Sequence, residues 1–278
     1  MLGLGLGIST SSVLGGFDSD YQAILDYASG EGYSAPNAAQ QTAQNTLVTS
    51  LKGGANVWDE LDGLYVFANN GSEEFAVINW KNPVTAGEAD AVNNVVWASN
   101  NGFTGTGSAS DYIDTNFVPS ASAPVTKFQV NSLSVGMYTE DTISSGTKQY
   151  PISFDESSYR IRFLNAWSGG NRMGVTSAGL PVGTPPSSTV GLQGLMKRIN
   201  GKQNGLQGDG TFTAEHPLDT DTPSLLTDAT LTTNSLFFLR YGGNYSDANI
   251  KLGFVGGKFT STQWSEFVTA VNTYVGTL

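Results

Sequence analysis

Cysteine is absent from this chain, and histidine occurs once, at His216. Disulfides, a thiolate nucleophile and Cys-ligated zinc or iron–sulfur sites are therefore excluded. A single histidine leaves almost no material for a His-built metal site, and His216 precedes Pro217 in a polar stretch that suits an exposed loop better than a catalytic triad. Charge is scarce as well, with Asp, Glu, Lys and Arg together forming 13% of residues, about half the usual share. Cations are the rarer sign, 13 against 24 acids, for a net charge of −11. No basic field exists to hold nucleic-acid phosphates or an anionic membrane. No apolar run is long enough to span a bilayer. The first lysine is Lys52, so the positive start of a secretory signal is missing. No repeat of fixed period is present, which argues against a propeller or solenoid.

What is present is glycine (34 of 278 residues), aromatic side chains at 11%, and hydrophobic residues at 39%. The polar balance rests on Ser, Thr and Asn, which make turns, while Thr also suits strands. This is the composition of a packed, turn-rich β protein.

Three regions follow from the pattern. Residues 1–16 form an arm. In Met1-Leu2-Gly3-Leu4-Gly5-Leu6-Gly7-Ile8 the alternation has period two, so Leu2, Leu4, Leu6 and Ile8 share one face of an extended strand. The arm reads either as an assembly anchor docked into a partner by strand addition or as a frayed terminus. Residues 17–62 form a helical attachment region. Asp18 or Ser19 caps a helix with Tyr21, Ile24, Leu25 and Ala28 on one face, ended by Gly30 and Gly32. A second helix starts after Ser34 and carries Ala39, Ala43, Leu47 and Leu51 on one face. Residues 63–278 read as β structure. Leu64–Ala68 and Phe75–Trp80 are expected strands, followed by many short apolar runs between Gly, Asn, Ser and Pro punctuation. Asn200-Gly201 is a hairpin signal, because a tight I′ turn needs positive φ at both central residues. Trp264, Phe267, Val268, Val271 and Val275 give a C-terminal helix, with Ser261 as its expected cap. The fold class predicted is a mostly β sandwich with an N-terminal arm, a small helical region and a C-terminal helix.

Four segments carry a resemblance. They are Gly102–Gly107 leading into Asp111–Phe117, the strand Ser132–Tyr138, the segment Met196–Lys202, and Ile250–Thr260 before the last helix. In this order they resemble concanavalin-A-like (laminin-G-like) jelly rolls of tailed-bacteriophage structural proteins. The Met1–Leu6 opening and the Leu61–Pro83 segment look like those of phages of Bacteroidetes-type hosts. The resemblance implies a jelly-roll domain over 63–278 and a virion location after synthesis in the host cytoplasm. It implies other virion proteins as partners, homo-oligomerisation, and a tail, fibre-base or capsid-decoration role, with the capsid and tail alternatives left open.

The chemistry expected is sparse. The adjacent acids Asp155-Glu156 and Glu73-Glu74 would point to opposite faces of a strand and read as solvated. No catalytic residue, no cofactor and no enzymatic activity are expected on this reading. Asp209, Asp219 and Asp221 are weak calcium candidates with no EF-hand spacing, set against ordinary solvated loop acids. Carbohydrate binding is the remaining site hypothesis. Asn165, Trp167, Asn171 and Arg172, together with Tyr241, Asn244 and Tyr245, combine aromatic faces with hydrogen-bonding groups at Gly-rich turns. The plainer alternative for Trp167 is a core plug or a subunit contact. The leading expectation is thus a non-enzymatic virion structural protein, with host-glycan binding by the jelly roll and a pure scaffold without glycan affinity both left open. Its alternative is a glycan-active depolymerase of host surface polysaccharide, for which two carboxylates facing each other at about 5–9 Å would argue.

Overall fold

The computed structural model describes residues 16–107, 110–119, 127–129, 132–139, 149–155, 160–167, 170–176, 191–197, 203–207, 234–241 and 243–278, the strands from 160 to 207 by their backbone pairing. Four α-helices occur among the described residues: α1 (Ser19–Glu31), α2 (Ala38–Lys52), α3 (Glu73–Ala76) and α4 (Ser261–Val275). The strands in chain order are β1 (Leu61–Tyr65), β2 (Asp90–Val92), β3 (Val96–Ala98), β4 (Gly102–Thr104), β5 (Tyr112–Asp114), β6 (Leu133–Thr139), β7 (Gln149–Asp155) and β8 (Arg160–Trp167). They continue with β9 (Gly170–Thr176), β10 (Gly191–Lys197), β11 (Gln203–Gln207), β12 (Leu236–Phe238), β13 (Arg240–Tyr241), β14 (Asn244–Tyr245), β15 (Asn249–Ile250) and β16 (Leu252–Gly256).

Two sheets dominate, a five-stranded one in the order β1-β16-β6-β10-β11 and a six-stranded one in the order β2-β5-β12-β7-β8-β9. Their pairings are antiparallel. The protein is mostly β and sandwich-like, as the composition and short apolar runs require. One buried cluster joins the sheets, with Val135, Met137 and Val255 from the first meeting Ile113, Ile152 and Phe238 from the second. Gly253 is required at this seam, since a Cβ there would lie 2.3 Å from Cζ of Phe238.

A second buried cluster lies on the other face of the five-stranded sheet. There Leu64 and Phe254 meet Ile24 of α1, Val48 of α2, and Trp264 and Phe267 of α4. The helices over 17–62 therefore pack against the sheet and the C-terminal helix. The layer order is helices, five-stranded sheet, six-stranded sheet, which leaves the outer face of the six-stranded sheet outside both cores. Among the described residues no helix is long and apolar enough to cross a membrane.

Several local expectations need correction. Phe75–Trp80 is not a strand. Ser72 accepts a hydrogen bond from the Phe75 amide at 3.3 Å, Glu73 and Glu74 occupy the first turn, and α3 forms instead. The capping group and the acids beside the helix N-terminus outweigh the β-propensity of the apolar run. The chain then returns to brace β1 through Trp80 N to Leu64 O at 2.8 Å. The buried stripe of α2 is Gln40, Gln44, Leu47, Val48 and Leu51 rather than the alanine face. Gln44 is buried because it links two tyrosines: the Tyr21 hydroxyl donates to its Oε1 at 2.7 Å and its Nε2 donates to the Tyr274 hydroxyl at 3.2 Å. The cap of α4 is Thr260, in a reciprocal capping box with Gln263, rather than Ser261. The Asn200-Gly201 signal falls outside the described residues, and the strands on either side of it, β10 and β11, are paired from Lys197–Gln203 outward.

Candidate functional site

The outer face of the six-stranded sheet is built by simple alternation. Ile113, Ile152, Phe154, Leu236 and Phe238 point into the core, so Tyr112, Asp114, Ser153 and Phe237 occupy the opposite face. Register fixes a row across the strands: Asp90 opposite Asp114, Asp114 opposite Phe237, Phe237 opposite Ser153, Ser153 opposite Arg162.

At one edge of this row two carboxylates sit directly across from each other. Residues paired in this way have Cβ atoms about 5 Å apart. Asn116 ties the pair together. Its backbone N–H donates to Asp114 Oδ1 at 2.9 Å and its side-chain amide donates to Asp90 Oδ2 at 2.8 Å. The same amide donates to the Glu88 carbonyl at 2.9 Å. Asn116 adopts a left-handed conformation (φ 55°), which asparagine tolerates better than most residues.

Glu88 extends the polar edge toward α1. Its carboxylate accepts from the Tyr27 hydroxyl at 2.9 Å and from the Tyr33 hydroxyl at 3.2 Å. Burial, with Glu88 nearby, pushes the Tyr33 phenol up to about 12, and burial also raises Tyr27. Both phenols are protonated donors at neutral pH and hold Glu88 in place.

Beside the carboxylates lies an aromatic shelf. Tyr112 and Phe237 meet edge-to-face with centroids 5.5 Å apart. The Arg240 guanidinium lies 4.5 Å from the Tyr112 ring centroid and 4.7 Å from that of Phe237. Leu239, with φ 68°, turns the chain out of β12 so that β13 crosses this face, where the Arg240 carbonyl accepts from Ser153 Oγ. The site thus offers paired acids, an amide, the half-buried Tyr112 ring and a guanidinium, with the Phe237 ring buried behind them, a set suited to sugar rings and their hydroxyls.

Of the carbohydrate candidates, Asn165, Trp167, Asn171 and Arg172 fall in this sheet, and Tyr241, Asn244 and Tyr245 in a separate two-stranded one. Asn165 and Trp167 lie in β8 and Asn171 and Arg172 in β9, so these residues belong to paired strands rather than to a loop. Asn165 pairs with Gln149 at the start of β7, and Trp167 pairs with Gly170. Tyr241 pairs with Asn244, and Arg240 with Tyr245, in a two-stranded ribbon. That ribbon follows β12 and crosses β7 where Ser153 Oγ donates to the Arg240 carbonyl. The arm residues Leu2, Leu4, Leu6 and Ile8, the calcium candidates Asp209, Asp219 and Asp221, and His216 lie outside the described residues. Among the described residues no group of three or more His, Cys, Asp or Glu side chains is placed to hold a metal ion.

Sequence reasoning missed Asp90, Asp114 and Asn116 as site residues. The Tyr112-Ile113-Asp114 alternation does place Tyr112 and Asp114 on one face. The pairing with Asp90 depends on register between strands well separated in sequence, which no local pattern reveals.

No family model and no curated protein matches this sequence. Solved structures do match in fold. A Trypanosoma rangeli sialidase in complex with a difluoro nononic acid superposes with a TM-score of 0.52 at 10% identity, covering 92% of this chain and 38% of its own. The T. rangeli sialidase with 2,3-difluorosialic acid, a covalent intermediate, gives 0.51 at 12% identity, covering 78% of this chain and 33% of its own. Domain 4 of an extracellular arabinanase from Geobacillus stearothermophilus, in complex with arabinotriose, gives 0.45 at 13% identity, too distant to support an argument. This chain spans only about a third of the length of the sialidases. At such identities the likeness is one of fold. The T. rangeli sialidases that share it are named as enzymes and not as virion components. This corrects the expectation of a non-enzymatic virion structural protein without catalysis.

Proposed function

We propose that this protein is a glycan-active depolymerase that engages polysaccharide across the outer face of its six-stranded sheet. The observation that carries the reading is the Asp90–Asp114 pair, two carboxylates opposed across adjacent strands beside the Tyr112–Phe237 shelf. Retaining glycoside hydrolysis uses two carboxyl groups about 5 Å apart, and the opposed register of Asp90 and Asp114 supports that scheme here. On that scheme one carboxyl protonates the glycosidic oxygen as the other attacks the anomeric carbon, giving a glycosyl ester. The first then removes a proton from water, which displaces the ester and returns the pair to its starting state. Asn116, donating to both acids, is the positioning residue. The fold likeness to sialidases supports a glycan-directed role without identifying the sugar.

The sandwich on this reading is of the concanavalin-A-like jelly-roll type. On this reading the β8–β9 and β13–β14 strand pairs, in which Trp167 and Tyr241 lie, extend the glycan-binding region beyond the acids. The sequence resemblance supplies a setting, a phage particle acting on host surface polysaccharide. There the Leu2, Leu4, Leu6 and Ile8 arm docks on other virion proteins, and homo-oligomerisation multiplies weak glycan contacts.

Release of reducing ends from a panel of bacterial surface polysaccharides tests the catalytic claim. Asp90→Asn and Asp114→Asn are each expected to lower the rate by roughly 10²–10⁴-fold. Stability should stay within about 0.5 kcal/mol, since both acids lie outside the core. Full activity in both variants, or no cleavage of any polysaccharide by the wild type, overturns the proposal.

A further inference from the structure

Two phenols from the helical layer converge on one carboxylate at the sheet edge. Tyr27 and Tyr33 both donate to Glu88, at 2.9 and 3.2 Å, and Tyr27 also donates to Thr85 Oγ1 at 3.2 Å. The two rings stand edge-to-face, their planes 88° apart and their centroids 6.4 Å apart. Both side chains are half-buried, so they form a corner of aromatic surface that reaches solvent with Glu88 at its base. The bonds to Glu88 hold both rings in place before any ligand arrives, which lowers the ordering cost of binding.

Strand alternation puts this corner in line with the acid pair. Ala89 and Ala91 face the core between the sheets, so Glu88, Asp90 and Val92 face outward. Glu88 is already extended, with φ −68° and ψ 150°. Asp90 lies opposite Asp114, and Val92 opposite Tyr112. Tyr112 and Asp114 share the outward face, because Ile113 between them lies in the core. A track therefore runs along β2 and β5 from the Tyr27–Tyr33 corner at Glu88, past Asp90 and Asp114, to Tyr112. Residues two apart on a strand are separated by about 7 Å, so the acids stand about that far along the strands from Glu88 on one side and from Tyr112 on the other. Asp90 and Asn116 are exposed, and Glu88, Asp114 and Tyr112 are half-buried, so every residue of the track reaches solvent.

We infer that Tyr27 and Tyr33 form a second sugar subsite, which takes an uncharged ring on the side of the acid pair away from Tyr112, so that the glycan is held on both sides of the bond that is cut. The ring stacks on a tyrosine face, and its hydroxyls donate to the acceptor positions of Glu88 that the phenols leave open, since a carboxylate offers about four. Charge selects the ring. Glu88, Asp90 and Asp114 adjoin this end of the track, and Glu31 adds its charge beside both phenols. An anionic sugar would meet like charges there at distances too short for salt to screen. A glycan gripped on both sides of the acids is cut internally. This rests on the glycan-active reading and adds the mode of cleavage and the class of ring.

Viscometry and reducing-end release, measured together on dextran, mannan, arabinan and polygalacturonate, test the inference with the full chain. Internal cuts should collapse the viscosity of at least one of the neutral polymers while few of its bonds are broken, and polygalacturonate should stay intact. Tyr27→Leu and Tyr33→Leu keep apolar cover on the helical layer and lose the flat face. Each should raise KM on that polymer by about tenfold, the loss expected for one aromatic contact. Tyr33→Phe keeps the ring and should recover most of that loss, which a role confined to the Glu88 hydrogen bond would not allow. Thermal melts separate lost binding from lost folding, and the wild-type viscosity measurement decides even where a Leu variant does not fold. Viscosity that falls only in step with reducing ends, cleavage confined to polygalacturonate or other charged polymers, or folded Leu variants with the wild-type KM overturn the inference and leave a glycan-active protein. Absence of cleavage of these polymers and of every bacterial surface polysaccharide overturns the inference and the proposed function together.

Discussion

Asp18 shows how much one side chain can do here. Its carboxylate caps α1 by accepting from the Asp20 amide at 2.9 Å, and it receives Lys52 Nζ at 2.8 Å from the end of α2. The Lys52 hydrogen bond is the main cause that holds the Asp18 carboxyl below its ordinary 3.8. The same bond raises Lys52 above 10.5. A lowered carboxyl contributes stability that is complete above its unfolded value and is lost as pH falls through the lower folded one. A raised ammonium contributes stability that is complete below 10.5 and is lost as pH rises through the higher folded one. Urea unfolding across pH should therefore show a plateau between these limits, with the acid-side decline absent from its Asp18 share in Asp18→Asn. That variant keeps a capping oxygen and should lose no more than about 1 kcal/mol. Asp18→Ala loses the cap as well and should cost about 1 kcal/mol further.

At the scale of single elements, glycine and capping residues decide what apolar patterning leaves open. The Phe75–Trp80 run has the composition of a strand, yet Ser72, Glu73 and Glu74 turn its start into α3. In β16 the sequence Leu252-Gly253-Phe254-Val255 alternates between two cores, with Leu252 and Phe254 toward the helices and Val255 toward the second sheet. Gly253 takes the remaining inward position because the Phe238 ring fills the space of its side chain. Gly253→Ala should destabilise by about 1–3 kcal/mol in denaturant titrations, the range for an overfilled core. Adding Phe238→Leu should recover part of that loss, since neighbours in contact do not act additively.

At the scale of the molecule, the five-stranded sheet is buried on both sides, by its partner sheet and by helices from both ends of the described chain. The buried polar chain from Tyr21 through Gln44 and Tyr274 ends at the Ala68 carbonyl, 2.6 Å from the Tyr274 hydroxyl, and so links α1, α2 and α4 to the segment after β1. The helices within residues 17–62 are thus part of the core. A chain beginning at residue 57 should lose its cooperative melt and bind an apolar dye, because Leu64, Phe254 and Phe267 would lose their cover. A sharp two-state melt in that fragment would show that the sandwich stands without them.

The sequence by itself determined the material of this protein. Period-two alternation and turn residues specify short antiparallel strands, the helical stripes of α1 and α4 are legible from their apolar spacing, and the absence of cysteine with a single histidine closes off whole classes of chemistry. All of these depend on residues close together in the chain. Only the tertiary structure decided which strands are neighbours. The opposition of Asp90 to Asp114, the stacking of Arg240 on Tyr112 and Phe237, and the burial of Gln44 between two tyrosines each depend on contacts between distant segments. The same alternation is compatible with many strand orders, and packing two sheets and a helical layer around shared aromatic cores selects one of them. That selection places Asp90 and Asp114 opposite each other on the outer face.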